Sequence, residues 1–245
     1  MPVSVAAVDK ARILQAIAGH GHGPRPGKSV ETAPREVSCQ RVARKVPPQR
    51  PAEKPGPTEL PIKKSMNLVI LDRDGVINED STEFIKAPED WVPIPGSLDA
   101  IARLNRAGFR VVVATNQSGI RRRLLDIGTL NRIHEVMHRQ LAGVGGHVEA
   151  IFICPCHPKD DCSCFKPNPG MLLDIAARLR VSLETVPYIG DKLSDVEAAR
   201  AAGARPILVK TGVGEKTLEE NPDLGAVGVF ENLAEVADSL IADRA

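Results

Sequence analysis

The sequence lacks any long apolar run, and it carries almost no net charge. None of its hydrophobic stretches approaches the length of about eighteen residues that a membrane helix needs, and the N-terminus does not show the basic, apolar and small-residue pattern of a secretory signal. These two absences predict a cytoplasmic protein that is neither inserted in a membrane nor bound to one. Apolar residues make up 42% of the 245 and charged residues 26%, which is typical of a globular chain with a buried core.

The net charge of +1 conceals two unequal parts. Residues 1–65 carry 12 Lys and Arg against 5 Asp and Glu, whereas the remaining residues carry 20 against 26. The basic character therefore belongs to the first part alone. A body with a net charge of −6 is not built to bind nucleic acid.

Proline is also concentrated in residues 1–65, which hold ten of the twenty. Stretches such as VPPQRPAEKPGPTELP cannot build a packed core, so we expect a disordered extension apart from a short helix near 8–17. Its composition favours a dispensable extension over an arm that binds an acidic partner. Because MNLVILDRDG looks like a natural beginning, a start of translation at Met66 is a further hypothesis.

From Met66 onward, short apolar strands alternate with amphipathic helices. The predicted strands are 68–71, 110–114, 150–153, 186–189, 206–209 and 226–230, and the predicted helices are 97–107, 126–141, 170–179, 193–202 and 232–241. This alternation predicts an α/β fold with a Rossmann-like parallel sheet covered by helices on both faces. Ligands of such sheets bind beyond the carboxyl ends of the strands, so functional residues are expected there.

Acidic residues follow two of these strands. Asp72 and Asp74 come after the first, and on extended chain two positions apart their carboxylates project to the same side. Such a pair suits a nucleophile with an acid/base partner, although Asp and Gly also form ordinary solvated turns. Asp191 follows a later strand, and Asp195 is placed to cap the next helix. Together, Asp72, Asp74 and Asp191 offer the oxygen ligands that Mg²⁺ prefers.

A polar loop, TNQSG, follows the strand RVVVA. Its hydroxyl, amide and backbone N–H groups can receive phosphate oxygens, and Lys166 and Lys192 supply positive charge. Each motif is ambiguous alone. Their coincidence at one edge of one sheet predicts a phosphate site.

These motifs resemble those of a known family. DRDG, ATNQSG, the lysine of FKPNPG and GDKLSD are similar to the four ordered motifs of the haloacid dehalogenase-like phosphatases. A closer similarity, to the heptose-bisphosphate branch of this family, is carried by LDRDGVIN, VVVATNQSGI, CPCHP with CSC, KPNPGML and GDKLSDVEAA. The histidinol phosphatases share the cysteine loop and are the group most easily confused with this branch. The resemblance implies one phosphatase domain over 66–245. The short interval between Asp74 and Thr115 leaves no room for a large cap domain.

The resemblance implies Mg²⁺-dependent hydrolysis of the 7-phosphate of D-glycero-D-manno-heptose 1,7-bisphosphate, within nucleotide-activated heptose and lipopolysaccharide core biosynthesis. In this scheme Asp72 is the nucleophile that forms an aspartyl phosphate, and Asp74 protonates the leaving oxygen and then activates water. Thr115 and Lys166 stabilise the phosphoryl oxygens. The substrate is a small phosphorylated sugar, and the protein is expected to be a monomer.

The resemblance also assigns ligands. The Mg²⁺ ligands are Asp72, the backbone carbonyl of Asp74, and Asp191, while Lys192 orients Asp72 or the phosphate. The residues expected to bind substrate are Asp80, Ser81, Thr82, Glu83, Thr115, Asn116, Gln117, Ser118, Phe165, Lys166 and Lys192.

Four of the five cysteines lie in one short loop, at Cys154, Cys156, Cys162 and Cys164. Clustered cysteines in a cytoplasmic chain indicate bound metal more than disulfides or a catalytic thiol. Four protein ligands around Zn²⁺ leave no position for substrate, so the predicted role is structural: the metal fixes the segment that delivers Lys166. The family's first pair is usually Cys-x-His, which makes His157 the alternative to Cys156.

Two departures from the family pattern bear on the substrate. Phe165 stands where the family commonly has Arg, and a phenyl ring cannot replace a bidentate guanidinium contact. Arg121-Arg122-Arg123 stands in place of Ala-Arg-Gly, where it either receives a second phosphate or forms a solvated helix entry. The alternatives are therefore a histidinol-phosphate phosphatase and a non-catalytic, zinc-stapled phosphosugar-binding scaffold.

Overall fold

A computed structural model of the chain describes residues 67–244. Six parallel strands form one sheet in the order β3-β2-β1-β4-β5-β6. The strands are β1 (Leu68–Leu71), β2 (Arg110–Asn116), β3 (Ala150–Cys154), β4 (Pro187–Gly190), β5 (Arg205–Val209) and β6 (Gly228–Phe230). The helices are α1 (Ser97–Arg106), α2 (Ser118–Arg121), α3 (Ile127–Gly143), α4 (Gly170–Leu179), α5 (Leu193–Ala202), α6 (Gly214–Glu220) and α7 (Leu233–Ala242), and a 3-10 turn covers Pro88–Asp90. The predicted α/β class is confirmed.

Alternation along the central strands divides the core into two layers. Val69 and Leu71 of β1 face a cluster with the apolar residues of α1, α3 and α7, whereas Leu68 and Ile70 face α4 and α5. All four residues of β1 are buried, because a central parallel strand is covered on both faces. The helices thus hold β1, and with it Asp72 at its end, in a fixed position.

The structure differs from the sequence prediction at several element boundaries. Strand β2 continues to Asn116, two residues further than predicted, because Thr115 and Asn116 still pair with β3. Helix α3 begins at Ile127, and Asp126 caps it by accepting a 2.6 Å hydrogen bond from the Thr129 N–H. The prediction did not include α2 or α6. Both are short and bury only one or two residues, so neither has a readable apolar stripe.

Some predictions fall outside the described residues. The extension over 1–65, the helix near 8–17 and the proposed start at Met66 all precede the first described residue. Within 67–244, none of the helices has the length and apolar character needed to cross a bilayer.

Candidate active site

The site lies where the carboxyl ends of β2, β1 and β4 meet. These three strands are neighbours in the sheet. The chain passes from β1 to β2 on one side and crosses later, after β3, to β4 on the other side. Ligands of such folds usually bind at the point where the strand order reverses in this way. The order places Thr115 and Asp191 on either side of Asp72. The Asp72 N–H donates to the Ile189 carbonyl at 2.8 Å, which extends the sheet pairing to the first acidic residue.

Three buried carboxylates converge there: Asp72, Asp191 and Asp195 are 4%, 0% and 1% exposed, and their oxygen atoms lie within 4.8 Å of one another. Burial raises the pKa of Asp72 above its usual value, although the charge of Lys166 opposes the shift. Burial likewise raises the pKa of Asp191 to about 7, against the charge of Lys192. Like charges this close favour a cation between them.

Lys166 provides one buried positive charge. Its Nζ lies 3.0 Å from Asp72 Oδ1 and 2.6 Å from Asp195 Oδ1, and it donates to the Tyr188 hydroxyl at 2.8 Å and to the Ala114 carbonyl at 3.2 Å. Burial disfavours the charge, but Asp195 and Asp72 outweigh this effect and raise the pKa of Lys166. The lysine is therefore an ammonium directly beside the predicted nucleophile.

Asp195 is a member of the site that the sequence analysis treated only as a cap. It does cap α5, because its Oδ2 accepts from the Lys192 N–H at 3.0 Å. Its Oδ1 also accepts from Lys166 and, at 2.9 Å, from the Tyr188 hydroxyl. Burial opposes its ionisation, yet the charges of Lys166 and Lys192 prevail and lower its pKa. The signal that could have identified it is the second acid of GDKLSD.

The ammonium of Lys192 contacts several oxygen atoms, and two of the predicted metal ligands, the Asp191 carboxylate and the Asp74 carbonyl, are among them. Its Nζ lies 2.9 and 3.1 Å from the Asp191 carboxylate oxygens, 3.0 Å from Asp80 Oδ2 and 3.4 Å from the Asp74 carbonyl. Burial acts against the charge, but Asp72 and Asp191 raise its pKa. An ammonium at this point agrees with the negative charge of the surrounding oxygens. Because carboxylate and carbonyl oxygens are the ligands of Mg²⁺, the donor set fits that ion.

The Asp74 side chain is bound by Arg73 and not by either of the two lysines. Arg73 forks onto it, with Nε 3.0 Å from Oδ1 and Nη2 2.7 and 2.8 Å from the two oxygens. Asn78 Nδ2 donates to Oδ1 at 2.9 Å. Burial opposes the charge of Asp74, but the Arg73 guanidinium and the Asn78 amide more than offset it and lower the pKa. Asp74 is therefore an ionised carboxylate in the free protein, and it is the backbone carbonyl of Asp74 that shares Lys192 with the predicted metal ligand Asp191.

Side chains of the loop after β2 form hydrogen bonds both with residues of the cavity and with the backbone of Lys166. Gln117 Nε2 donates to Asp74 Oδ2 at 3.0 Å and to Thr115 Oγ1 at 3.1 Å. Asn116 brackets the backbone of Lys166, since its Oδ1 accepts from the Lys166 N–H at 3.2 Å and its Nδ2 donates to the Lys166 carbonyl at 3.3 Å. Asn116 therefore fixes the lysine segment as well as facing the cleft.

A cavity of about 140 Å³ opens above these groups. Of the residues expected to bind substrate, those that line it are Asp80, Ser81, Thr115, Asn116, Gln117, Lys166 and Lys192. The structure adds Arg73, Phe84, Ile85 and Ser194 to the lining. Thr82, Glu83, Ser118 and Phe165 do not belong to it. Phe165 is partly buried and packs instead against the apolar cluster beneath α4 and α5.

The segment between β1 and α1 forms one wall of the cavity. The Glu79 N–H donates to the Val92 carbonyl and the Ile94 N–H to the Ile77 carbonyl, both at 2.9 Å. Trp91, which directly precedes Val92, is buried in the core cluster that includes α3. These two backbone hydrogen bonds therefore hold the segment that carries Asp80 and Ser81 at both of its ends.

The three consecutive arginines are exposed. Arg121 Nε lies 3.5 Å from Asp160 Oδ2 in the cysteine loop. The Arg122 guanidinium lies over the Phe84 ring, 5.4 Å from its centre. Since Phe84 lines the cavity, Arg122 stands at its rim.

The four cysteines come together as one cluster. All four Sγ atoms lie within 4.8 Å of one another, with Cys154 and Cys162 3.8 Å apart and Cys156 and Cys164 4.0 Å apart. Cys162 and Cys164 are 3.1 Å apart, and two further pairs, Cys154 with Cys164 and Cys156 with Cys162, are in disulfide contact. Tetrahedral Zn²⁺ with its usual Zn–S bonds separates sulfurs by roughly 3.8 Å. Two of the separations match this value, and the cluster offers the ligand number and type of a Zn²⁺ site, while paired disulfides are the oxidised alternative.

The cysteine loop is linked to the segment that carries Lys166. Asn168 Nδ2 donates to the Cys162 carbonyl and the Gly170 N–H donates to the Ser163 carbonyl, both at 2.9 Å. His157 keeps to its own turn, where its Nδ1 accepts from the Lys159 N–H at 3.1 Å, and it does not join the sulfur cluster. Among the described residues, Cys156 rather than His157 completes the set of four.

Comparison with known proteins places these features in a wider context. A family profile described as HAD-hydrolase-like matches residues 163–236. The D-glycero-beta-D-manno-heptose-1,7-bisphosphate 7-phosphatase of Bordetella bronchiseptica is 54% identical over 178 residues, which cover 73% of this chain and 99% of the relative. The protein of the same name from Escherichia coli K12 is 34% identical over 185 residues, covering 72% and 95%.

A solved structure is also similar. The crystal structure of D,D-heptose 1,7-bisphosphate phosphatase from B. bronchiseptica, complexed with magnesium and phosphate, is 53% identical and has a TM-score of 0.70. It covers 73% of this chain and 99% of its own. The curated relatives therefore match almost over their full length.

Proposed function

Because the chain belongs to the D-glycero-beta-D-manno-heptose-1,7-bisphosphate 7-phosphatases of the HAD-like hydrolases, we propose that it removes the 7-phosphate of this sugar bisphosphate with Mg²⁺. This activity belongs to the synthesis of nucleotide-activated heptose for lipopolysaccharide core. The observation that carries the proposal is the convergence of Lys166 with Asp72, Asp191 and Asp195 beneath one cavity.

Asp72 is the nucleophile in the first step. Its Oδ1 is held by the Arg73 N–H at 2.7 Å and by Lys166 at 3.0 Å, so the carboxylate is oriented before substrate arrives. One of its oxygens attacks phosphorus, the bond between phosphorus and the sugar oxygen breaks, and an aspartyl phosphate forms. Thr115 and Lys166 stabilise the negative phosphoryl oxygens during this transfer.

Asp74 moves the proton in both steps. It is ionised in the free protein, and the negative charge of an entering phosphate raises its proton affinity, so that it takes up a proton from solvent as the substrate binds. The protonated acid then gives its proton to the departing sugar oxygen. In the second step the carboxylate takes a proton from the water that attacks the aspartyl phosphate, and inorganic phosphate is released.

The metal ligands are Asp72, the Asp74 carbonyl and Asp191. Mg²⁺ bound there offsets the repulsion between an anionic nucleophile and an anionic substrate. Lys192, which contacts Asp191 and Asp80, carries further positive charge to the wall of the cavity. The sulfur cluster holds structural Zn²⁺ and fixes the segment of Lys166.

The finer assignments follow from the same family. We propose a preference for the β anomer, which is the form in the relatives' names, and a cytoplasmic monomer whose phosphatase domain covers 66–245 with residues 1–65 as an extension. The alternatives of a histidinol-phosphate phosphatase and a non-catalytic scaffold have no support from the named relatives. The intact set of Asp72, Asp74, Thr115, Lys166 and Asp191 also argues against a scaffold.

Phosphate release from both anomers of the heptose bisphosphate and from histidinol phosphate, with and without Mg²⁺, tests the proposal. The β anomer is expected to give the highest kcat/KM, only with Mg²⁺. Asp72→Asn should abolish turnover and keep the fold, while Asp174→Asn, on the exposed face of α4, should match the wild type. Turnover by the Asp72→Asn protein, or a preference for histidinol phosphate, would contradict the assignment.

A further inference from the structure

His134 is a buried histidine that the proposed mechanism does not use. It lies on α3, only 8% exposed, and its Nε2 is 3.2 Å from Nη1 of Arg73. Arg73 is itself 1% exposed although it stands between Asp72 and Asp74. The two side chains connect a helix of the outer layer to the acid/base carboxylate.

Only one protonation state fits this contact. A guanidinium has donors and no acceptor, so Arg73 donates and His134 Nε2 accepts. The ring must then be neutral and carry its proton on Nδ1. In agreement, burial and next the Arg73 charge lower the pKa of His134 to about 4.

The contact determines how the guanidinium lies. With Nη1 held by His134, the remaining edge presents Nε and Nη2 to Asp74, and a planar fork of this kind fixes both oxygens of a carboxylate. Without the acceptor, Nη1 would be a buried donor without a partner, which costs free energy unless the group rotates. Rotation of the guanidinium would break the hydrogen bonds from Nε and Nη2 to the Asp74 carboxylate.

The turn itself does not need this side chain. The Arg73 carbonyl accepts from the N–H groups of Val76, Ile77 and Asn78 at 3.3, 2.8 and 3.2 Å. These bonds close the backbone loop after β1 whatever the side chain does. The arginine side chain therefore acts on the Asp74 carboxylate rather than on the fold of the loop.

We propose that His134 is a positioning residue that, through Arg73, holds the Asp74 carboxylate where it exchanges a proton with the leaving oxygen. The inference rests on the proposed function. A displaced Asp74 would protonate a poor leaving group less well, but would matter little for a leaving group that departs as a stable anion. The effect of losing His134 should therefore depend on the leaving group.

The test compares His134→Leu, His134→Gln and His138→Leu on two esters with Mg²⁺: the heptose bisphosphate and para-nitrophenyl phosphate. The leucine variant removes the acceptor, and we expect kcat on the sugar ester to fall about 10- to 100-fold, with KM and turnover of the aryl ester changed less than about threefold. Glutamine, whose amide oxygen can accept from Arg73, should recover most of kcat. His138 is exposed one turn further along α3, and its variant should match the wild type.

Folding is checked by thermal unfolding of each variant. Should the leucine variant not fold, His134→Asn takes its place, because its shorter amide stops short of Arg73. An equal loss on both esters, or no recovery with glutamine, overturns the inference while leaving the proposed function intact. Absence of Mg²⁺-dependent turnover in the wild-type protein overturns the proposed function and this inference with it.

Discussion

Replacing Tyr188 with Phe removes a single hydroxyl from beneath the site. That hydroxyl accepts from Lys166 Nζ at 2.8 Å and donates to Asp195 Oδ1 at 2.9 Å, and the residue is 1% exposed. Both partners are charged, and hydrogen bonds to charged groups contribute about 1.5–3 kcal/mol each. Because Lys166 and Asp195 still hold each other, neither is left unpaired, and we expect a total loss of about 2–3 kcal/mol.

For a domain of this size, each kcal/mol lowers Tm by about 2–4 °C, so Tyr188→Phe should lower Tm by roughly 4–12 °C. Urea unfolding gives the free energy directly. Thr217→Val is the matched control, because the single proton of its buried hydroxyl is shared between the neutral backbone carbonyls of Asp191 and Val213. This substitution should cost only about 1 kcal/mol. A loss in Tyr188→Phe below about 0.5 kcal/mol, the range of ordinary surface changes, would refute the assigned contacts.

The same residue has an optical test, because it is the chain's single tyrosine. Burial, followed by the charges of Asp195 and Asp72, raises the pKa of Tyr188 well above 10. The raised pKa belongs to the folded state, so stability is unaffected below pH 10 and falls as pH rises further, by about 1.4 kcal/mol per pH unit. Tyrosinate absorbance should therefore appear only as the protein unfolds, and its appearance at pH 10 in folded protein would contradict the burial.

Three further predictions concern the metals and the loop after β1. Gly75→Ala should cost about 2 kcal/mol or more and abolish turnover, because Gly75 has φ +88° and a Cβ there would lie 2.1 Å from Asp191 Oδ2; activity equal to wild type would contradict this geometry. Cys162→Ser should remove bound zinc, measured by elemental analysis of the purified protein, and reduce kcat by loosening the Lys166 segment, and wild-type protein without zinc would refute the zinc assignment. Mg²⁺ at 100 times its Kd should stabilise the protein by about 2.7 kcal/mol, seen as a rise in Tm, and Asp191→Asn should lose that rise while exposed Asp174→Asn keeps it.

The strands of the sheet can be predicted from the sequence because short, continuous apolar runs are typical of strands buried on both faces. The run of Leu68 to Leu71 is apolar throughout, as a central parallel strand requires, and Gly203 ends α5 in the left-handed conformation that favours glycine. The prediction that strand ends carry the site follows from the same topology, and Asp72, Thr115, Lys166 and Asp191 meet there.

The parts that the sequence did not predict depend on packing between distant segments. Arg73 reads as one charge in a polar turn, and nothing local indicates that it is buried against His134, 61 residues away. The family resemblance placed Phe165 among the residues that bind substrate, yet it is partly buried against the apolar cluster of α4 and α5. Tyr188 reads as a strand residue, although its hydroxyl reaches two charged groups.

The tethered wall between β1 and α1 gives the protein an internal fluorescent reporter. Its only tryptophan, Trp91, precedes Val92, whose carbonyl accepts from the N–H of Glu79, the neighbour of Asp80. We therefore expect a ligand that contacts Asp80 or Ser81 to change the indole emission without any attached dye. Titrations followed this way measure occupancy even in variants that no longer turn over.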